Sequence, residues 1–449
     1  MNDYHSWLKI NPTKEYSTDE QELLDNSIRD RIYEDLTLTG DLQQKENMLK
    51  HKWFEIHSFI KKDNSKEIDI VKNLIWKPSP DKDFRDIEPE LLLTTELKKV
   101  PTWDFWGNEN YQVIIKDNKL TEHWTILRTL ISSSRNDGTR GRALRYLVRD
   151  KSTQKYLGII CISSTAMLLN CRNKIIFGED NNQFQTAFSI GGRSKSMGNG
   201  QTIQPLQPFG RVNNGGKLLA LLCVSDVIQK DWQERYGDVL VAIETTSLYG
   251  NQNKLTQYCG LRPFFKNIGQ TSGQTPIKPT DVTYKLIRKW IKKRYPETYY
   301  QYIHSRNEKG QNTIRDQKNN LVKKVYSLLN INRNIYSQYR RGVFLCSLYE
   351  NTNDFMQYKI DEDLLKPSFN NDIETLIHHW KYGFDDNSKL SHLSKNKYKL
   401  EKRSTAEHRH NSLKNNGVIY RRRYDDWYGD LHQMDWETAK QKYLYQEFV

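Results

Sequence analysis

Apolar residues recur at Leu24, Ile28, Ile32 and Leu36, a spacing that lines one face of a helix. Thr18-Asp-Glu-Gln21 precedes this stripe and reads as a capping box, in which the threonine hydroxyl takes an orphan amide and Gln21 reaches back. Gly40 ends the pattern. A second helical segment is predicted over 44–62, with Trp53, Ile56 and Ile60 on one side. Pro78-Ser-Pro80 and Pro89 then break the pattern, so 77–108 reads as a linker or an extended wrap.

From about 110 the period shortens. Tyr111–Ile115 and Leu144–Val148 read as strands, and Tyr156-Leu-Gly-Ile-Ile-Cys-Ile-Ser163 is the short apolar run of a buried one. Glycines crowd 189–216, including Gly191-Gly192, Gly198, Gly200 and Gly215-Gly216, which predicts a loop-rich crossing. Lys217–Asp231 is expected to be one helix with Leu218, Leu222 and Ser225 on one face. Asp238-Val-Leu-Val-Ala-Ile-Glu244 reads as a strand covered on both sides. Val239, Val241 and Ile243 should face one packed layer, and Leu240 and Ala242 another. Strand, glycine turn, helix, strand is the grammar of an α/β unit. The predicted architecture is an α/β central domain over 109–282. It lies between a helical N-terminal region, 1–108, and a basic, Tyr/Trp-rich, mainly helical region, 283–449, with loops near 305–313, 366–372 and 385–396.

Composition narrows the classes. Among 449 residues, 26 Tyr and 11 Trp supply large anchors that a disordered chain would lack. No run approaches the roughly 18 apolar residues needed to cross a bilayer, so no membrane partner is expected. The opening Met-Asn-Asp-Tyr-His-Ser-Trp has neither the basic leader nor the apolar stretch of a signal peptide, and a cytoplasmic protein is expected. Cys161, Cys171, Cys223, Cys259 and Cys346 form no CxxC pair, which argues against a disulfide scaffold and a cysteine-based zinc site. His378-His379 and His408-x-His410 are adjacent or alternate pairs in polar segments and match no metal-ligand motif, so no metal is expected. Walker A, HExxH and GxSxG sequences are absent.

Charge changes the picture most. The net charge is +14, yet residues 1–100 hold 16 Lys/Arg against 21 Asp/Glu. Residues 285–345 hold 15 Lys/Arg against 3 Asp/Glu, so nearly the whole excess sits in one segment. Such asymmetry points to a polyanionic partner, with DNA the expected one. Within Lys285–Tyr295, helical spacing puts Lys285, Arg288, Lys289, Lys292 and Lys293 on a broad face and Leu286, Trp290 and Ile291 toward the other side, and Arg294 follows as a further nucleic-acid-binding candidate. That face suits duplex phosphates, and the aromatics can stack on bases or pack inward; a solvated amphipathic helix is the competing reading. Lys323-Lys324, Arg340-Arg341 and Arg421-Arg422-Arg423 add to the nucleic-acid reading. Arg128, Arg135, Arg140, Arg142, Arg145 and Arg149 form another cluster, with Arg135, Arg140 and Arg142 in a flexible stretch that is either a phosphate-binding loop or a solvent loop before a strand. Arg211-Val-Asn-Asn-Gly-Gly-Lys217 opens a helix, where exposed amides could bind a phosphate or merely close a tight turn.

Several pieces of the middle segment fall in a familiar order. They are Tyr156–Ser164, a Leu/Arg element ending at Arg172, Asp231-Trp-x-x-Arg-Tyr-Gly237, Leu240-Val-Ala-Ile-Glu-Thr245 and Ile268-Gly-Gln-Thr-Ser-Gly273. In this order the segment resembles the DruA-like proteins over about 145–280, with 178–204 as an insertion. That resemblance implies a component of the Druantia anti-phage system, or a related phage or mobile-element protein, with protein partners in a defence or phage complex.

The same segment resembles the second half of a GNAT acyltransferase. There a basic-residue and glycine turn at a helix start holds the cofactor pyrophosphate, and a further strand and a Tyr-containing helix follow. Arg211…Gly216, Lys217–Asp231, Val239–Glu244 and Tyr258-Cys-Gly-Leu261 occupy that order, although Asn214 stands at the first Gly of R-x-x-G-x-G and Tyr258 stands two residues before its Gly instead of four. The resemblance implies a GNAT-like mixed sheet. It makes Arg211, Gly215, Gly216 and Lys217 the cofactor-binding candidates for acyl-coenzyme A, Tyr258 an acid, and Glu244 a base or orienting carboxylate; a helix N-cap or a salt bridge to a nearby arginine is the competing reading of Glu244. Two functions therefore stand: a GNAT-like transferase modifying DNA bases, or a non-enzymatic DNA-binding module of a larger assembly.

Overall fold

The unbroken apolar stretch from Leu157 to Ile162 can only be satisfied inside a sheet covered on both faces. In the computed structural model of the chain it lies near the middle of such a sheet. The structure describes residues 2–36, 53, 57, 65–77, 84–98, 102–103, 109–110, 113–116, 118–131, 141–165, 169–189, 191–207, 209–247, 256–261, 263–271, 279, 281–304, 314–331, 341–383 and 435–438.

Seven strands form the sheet: β1 (Pro89–Leu93), β2 (Ala143–Asp150), β3 (Lys155–Ser164), β4 (Met197–Pro205), β5 (Ala242–Ser247), β6 (Lys266–Gln270) and β7 (Gly342–Ser347). Their order is β1-β2-β3-β4-β5-β7-β6. Every neighbouring pair is antiparallel except β4 and β5. The parallel ladder is short, running from Met197↔Ala242 to Asn199↔Glu244. Beyond it β4 continues along β3 while β5 continues along β7. The Oγ1 of Thr245 reaches across this parting to donate to the Gly200 carbonyl at 2.9 Å.

Helices cover both faces, as an α/β domain requires. On one face Leu218–Val224, Ile228, Trp232, Leu376 and Trp380 pack with Tyr146, Ile160, Leu240, Ile243 and Phe344. On the other, Ile176, Phe177, Ala187, Phe355 and Met356 pack with Met197, Val239, Val241, Ala242 and Leu345. The run 239–243 is thus apolar on both sides, but its alternation is offset. Val241 joins Ala242, and Leu240 joins Ile243, because the β5 ladder begins only at Ala242.

Other expectations need correction. The helix predicted over Lys217–Asp231 is two, Gly215–Leu222 and Asp226–Tyr236. They break at Ser225, whose hydroxyl donates back to the Leu222 carbonyl; this competition with the helical ladder is what makes serine a boundary residue. The capping box lies one residue earlier than predicted: Glu20 N donates to Ser17 Oγ and Ser17 N to Glu20 Oε2. Pro89 does not mark a linker but starts β1 at the sheet edge, where a missing N–H is tolerated.

The chain forms two compact units, and they cut across the three consecutive regions that its patterning suggests. One unit combines residues 1–51 with 273–339, and the other 52–272 with 340–449. In the first, Ile28 and Ile32 of the Thr18–Leu36 helix pack with Ile287, Trp290 and Ile291 of the Asp281–Arg294 helix and with Leu321 and Val325 of the Ile314–Leu328 helix. The basic helix is therefore partnered by the N-terminal helices, and its segment is inserted between the adjacent strands β6 and β7. No helix among the described residues is long and apolar enough to cross a membrane.

Candidate functional site

Glu244 and Thr245 are neighbours on β5, so their side chains leave opposite faces of the sheet. On one face Glu244 is 1% exposed and meets Arg172, which is 0% exposed. Arg172 Nη1 donates to Glu244 Oε2 at 2.8 Å, and the Thr165 hydroxyl donates to Oε1 at 2.6 Å. Arg172 also donates to Asn173 Oδ1 and lies over the Phe188 ring, 4.9 Å from its centroid. Burial lowers the guanidinium's pKa, and the facing carboxylate opposes that shift. Glu244 is therefore committed to an internal ion pair.

On the other face the Thr245 hydroxyl shares a hydrogen bond with the Tyr258 hydroxyl at 3.3 Å. Gln257 Nε2 donates to the same phenol at 3.0 Å and to the Ile203 carbonyl of β4 at 2.9 Å. Tyr258 is buried between Phe265 and Phe344, and burial raises its phenol well above the ordinary value. Tyr258 and Glu244 thus lie on opposite sides of the sheet, so the expected acid–base pair does not converge on one reacting atom. Proton transfer requires both groups within hydrogen-bond reach of it.

The glycine turn is filled from within. Asn214 adopts a left-handed φ of 57° before the Gly215–Leu222 helix. A Cβ on Gly215 would meet the Phe209 ring at 2.4 Å, and one on Gly216 would meet the Gln257 side chain at 2.8 Å. Lys217 Nζ donates to the Cys259 carbonyl at 2.9 Å. The glycines serve close packing of the helix start, and the lysine joins it to the Tyr258 turn. Arg211 lies in the short Phe209–Val212 helix, and its side chain is outside the described residues. A pocket of about 350 Å³ opens elsewhere, lined by Gly191, Gly192, Arg193, Asp238, Asp361 and Glu362 among others, and none of these predicted residues lines it. No metal-binding group of His, Cys, Asp or Glu occurs among the described residues.

The arginines of the 128–149 cluster turn inward where they are described. Arg142 is paired with Asp238, donates to the Lys195 carbonyl at 3.0 Å and stacks over Tyr236, 4.7 Å from the ring centroid. Arg149 pairs with Glu90 at 2.6 Å, and Arg145 lies over the Trp124 ring. Arg142 is thus held by partners within the protein. Arg135, Arg140, Arg421, Arg422 and Arg423 lie outside the described residues.

The basic helix Asp281–Arg294 divides its cations into two sets. Arg294 is neutralised by Asp25, with Nε–Oδ1 and Nη2–Oδ2 both at 3.0 Å, and Trp290 Nε1 donates to the same carboxylate. Lys292 donates to Asn11 Oδ1 and sits over the Trp7 and Tyr299 rings. These two hold the N-terminal helices. Lys285, Arg288, Lys289 and Lys293 are exposed, with no ion pair to a described carboxylate. They share one face, opposite the buried Ile287, Trp290 and Ile291. The helix places four positive charges in solvent and buries its aromatic side.

The pieces that carried the resemblance converge. Arg172 and Glu244 come from two of them and form the buried pair. In Asp231-Trp-x-x-Arg-Tyr-Gly237, Asp231 accepts from the Tyr146 phenol at 2.8 Å, and Trp232 Nε1 donates to the Lys195 carbonyl. Arg235 donates to Thr95, Tyr236 accepts from Ala143 N, and Gly237 takes the left-handed helix end at φ 71°. Gly269 of the last piece has φ 128° beside Cys171, where a side chain would be strained. A salt bridge from Glu244 to an arginine is the competing reading that the structure bears out, and Arg172, just ahead of an apolar Ile-Ile-Phe run, is the arginine that the sequence does not single out.

A seven-stranded mixed sheet with helices on both faces, tied by charged pairs inside its core, defines an α/β protein. The chain belongs to the DruA family, described as Druantia protein DruA, whose family model matches residues 111–358. That match extends past the resembling motifs on both sides and includes β7. The chain is similar to the Druantia protein DruA of Escherichia coli (strain UMEA 4076-1), 29% identical over 167 residues. The similarity covers 34% of this chain and 39% of that relative. No solved structure matches.

Proposed function

We propose that the chain is a DNA-binding component of an anti-phage defence assembly of the Druantia kind, acting through phosphate contacts and not through chemistry in its sheet domain. Family membership supports the defence role. The single observation that carries the DNA reading is the row of exposed cations Lys285, Arg288, Lys289 and Lys293, since unpaired charges on one helix face attract a polyanion and release its counterions.

A GNAT-like architecture for the sheet is part of the same proposal. It is supported by the parallel neighbours β4 and β5, joined through a glycine turn and two successive helices, with a tyrosine-bearing turn next in the chain. Transferase activity has less support, because Glu244 and Tyr258 face opposite sides and the turn is packed by Phe209 and Gln257. The test is phage plating on cells carrying the complete system. A K285Q/R288Q/K289Q/K293Q chain, present at normal level, should lose protection; full protection with it would contradict the proposal.

A further inference from the structure

We infer that the basic face of the Asp281–Arg294 helix reads duplex DNA by its phosphates alone, without sequence preference and in preference to single strands. The inference rests on the DNA-binding reading above and names which form of DNA that face takes.

Three observations carry it. The four exposed cations fall at positions 285, 288, 289 and 293, which at about 1.5 Å per residue spread over roughly 12 Å of helix. A duplex presents one phosphate per about 1.7 Å of its axis, so a patch of this length meets several at once. Next, three of the four are lysines. Lysine acts as a point charge toward phosphate, whereas guanine recognition favours the planar fork of arginine, available here only from Arg288. Last, no Phe, Tyr or Trp is exposed among the described residues of this unit. Trp290 is 5% exposed with its Nε1 bound to Asp25, and Trp7 and Tyr300 are buried against each other.

The last observation separates duplex from single strand. Single-strand binders gain about 1–3 kcal/mol per base from stacking on aromatic rings. The described rings of this unit are buried or half-buried, most of them against its own core, so a single strand finds none of them standing free to stack on and would bind mainly through phosphates at lower charge density. A duplex loses nothing by the absence of rings, because its bases are already stacked on one another.

The experiment is competition fluorescence anisotropy on the full chain at low salt. A labelled 20-base-pair duplex is displaced by an unlabelled duplex of shuffled sequence or by a 20-nucleotide oligothymidine. The two duplexes should compete within about threefold, and the single strand should be at least tenfold weaker. A single strand that competes as well as the duplex, or a more than tenfold preference between duplexes, would overturn the inference while leaving DNA binding in place. Failure of the labelled duplex to bind at all would remove both.

Discussion

Arg172 Nη1 lies 2.8 Å from Glu244 Oε2, and the two side chains, 72 positions apart in the chain, are 0% and 1% exposed. They join the Asn170–Phe177 helix to β5. Removing one member leaves a buried charge without a partner, which costs about 3–5 kcal/mol. Glu244→Ala should therefore lower stability by that amount in urea denaturation. The double replacement R172M/E244L should recover most of it, because an apolar pair of similar volume carries no desolvation penalty. A Glu244→Ala protein as stable as the native one would mean that the pair is not what holds this face.

Gly158 of β3 is required by a close approach. A Cβ there would lie 2.4 Å from Leu219 Cδ2 and 2.8 Å from the Gln204 carbonyl oxygen, a backbone atom that cannot yield cheaply. Overpacking of this kind costs about 1–3 kcal/mol, so Gly158→Ala should lower the urea midpoint with an unchanged m-value. Gly237 is the control. Its φ is +71° and its ψ 4°, with nothing within 4 Å of a built Cβ, so alanine there meets only backbone strain of about 1 kcal/mol. Equal losses at the two positions would contradict the packing account.

Burial lowers His379 to a pKa of about 4, with Lys217 and His378 adding to the shift. In the unfolded chain the imidazole titrates near its ordinary value of about 6.5. Between those values the unfolded state binds the proton and the folded state does not, so stability falls as pH drops from about 6.5 to about 4 and levels off below. The loss approaches about 3 kcal/mol. Urea denaturation over that window should show the slope in the native chain and a smaller one in His379→Gln. An identical slope in both would assign the acid sensitivity to other groups.

Acetyl-coenzyme A should leave the melting temperature unchanged. The helix start that would receive its pyrophosphate is packed by Phe209 and Gln257, and Lys217 is bound to the Cys259 carbonyl. A ligand that binds the native state adds about 2.7 kcal/mol at a hundredfold excess over its dissociation constant. A clear rise at millimolar cofactor would revive the transferase reading.

The strands of the sheet centre were legible because Tyr156–Ser163 and Val239–Ile243 are apolar runs too short for helices. β7 was not, although Val343–Cys346 is apolar, because it follows a helical, basic stretch and pairs with β5 nearly a hundred positions earlier. Local period carries no information on such a return. The four exposed cations of the basic helix were legible from helical spacing, whereas the commitment of Lys292 and Arg294 was not. Their partners Asn11 and Asp25 sit 281 and 269 positions away. The role of Glu244 stayed open for the same reason. A carboxylate at a strand end looks like a site until its arginine is known, and Arg172 comes from a different motif.

The most direct test of the account is the salt dependence of duplex binding, measured by anisotropy on the native chain and on K285Q/R288Q/K289Q/K293Q with unchanged circular dichroism. Each lost phosphate contact removes about 0.9 from the slope of log K against log salt, so the variant's slope should be shallower by about 3 to 4. A folded variant with the native slope would contradict the account and return this helix face to solvent.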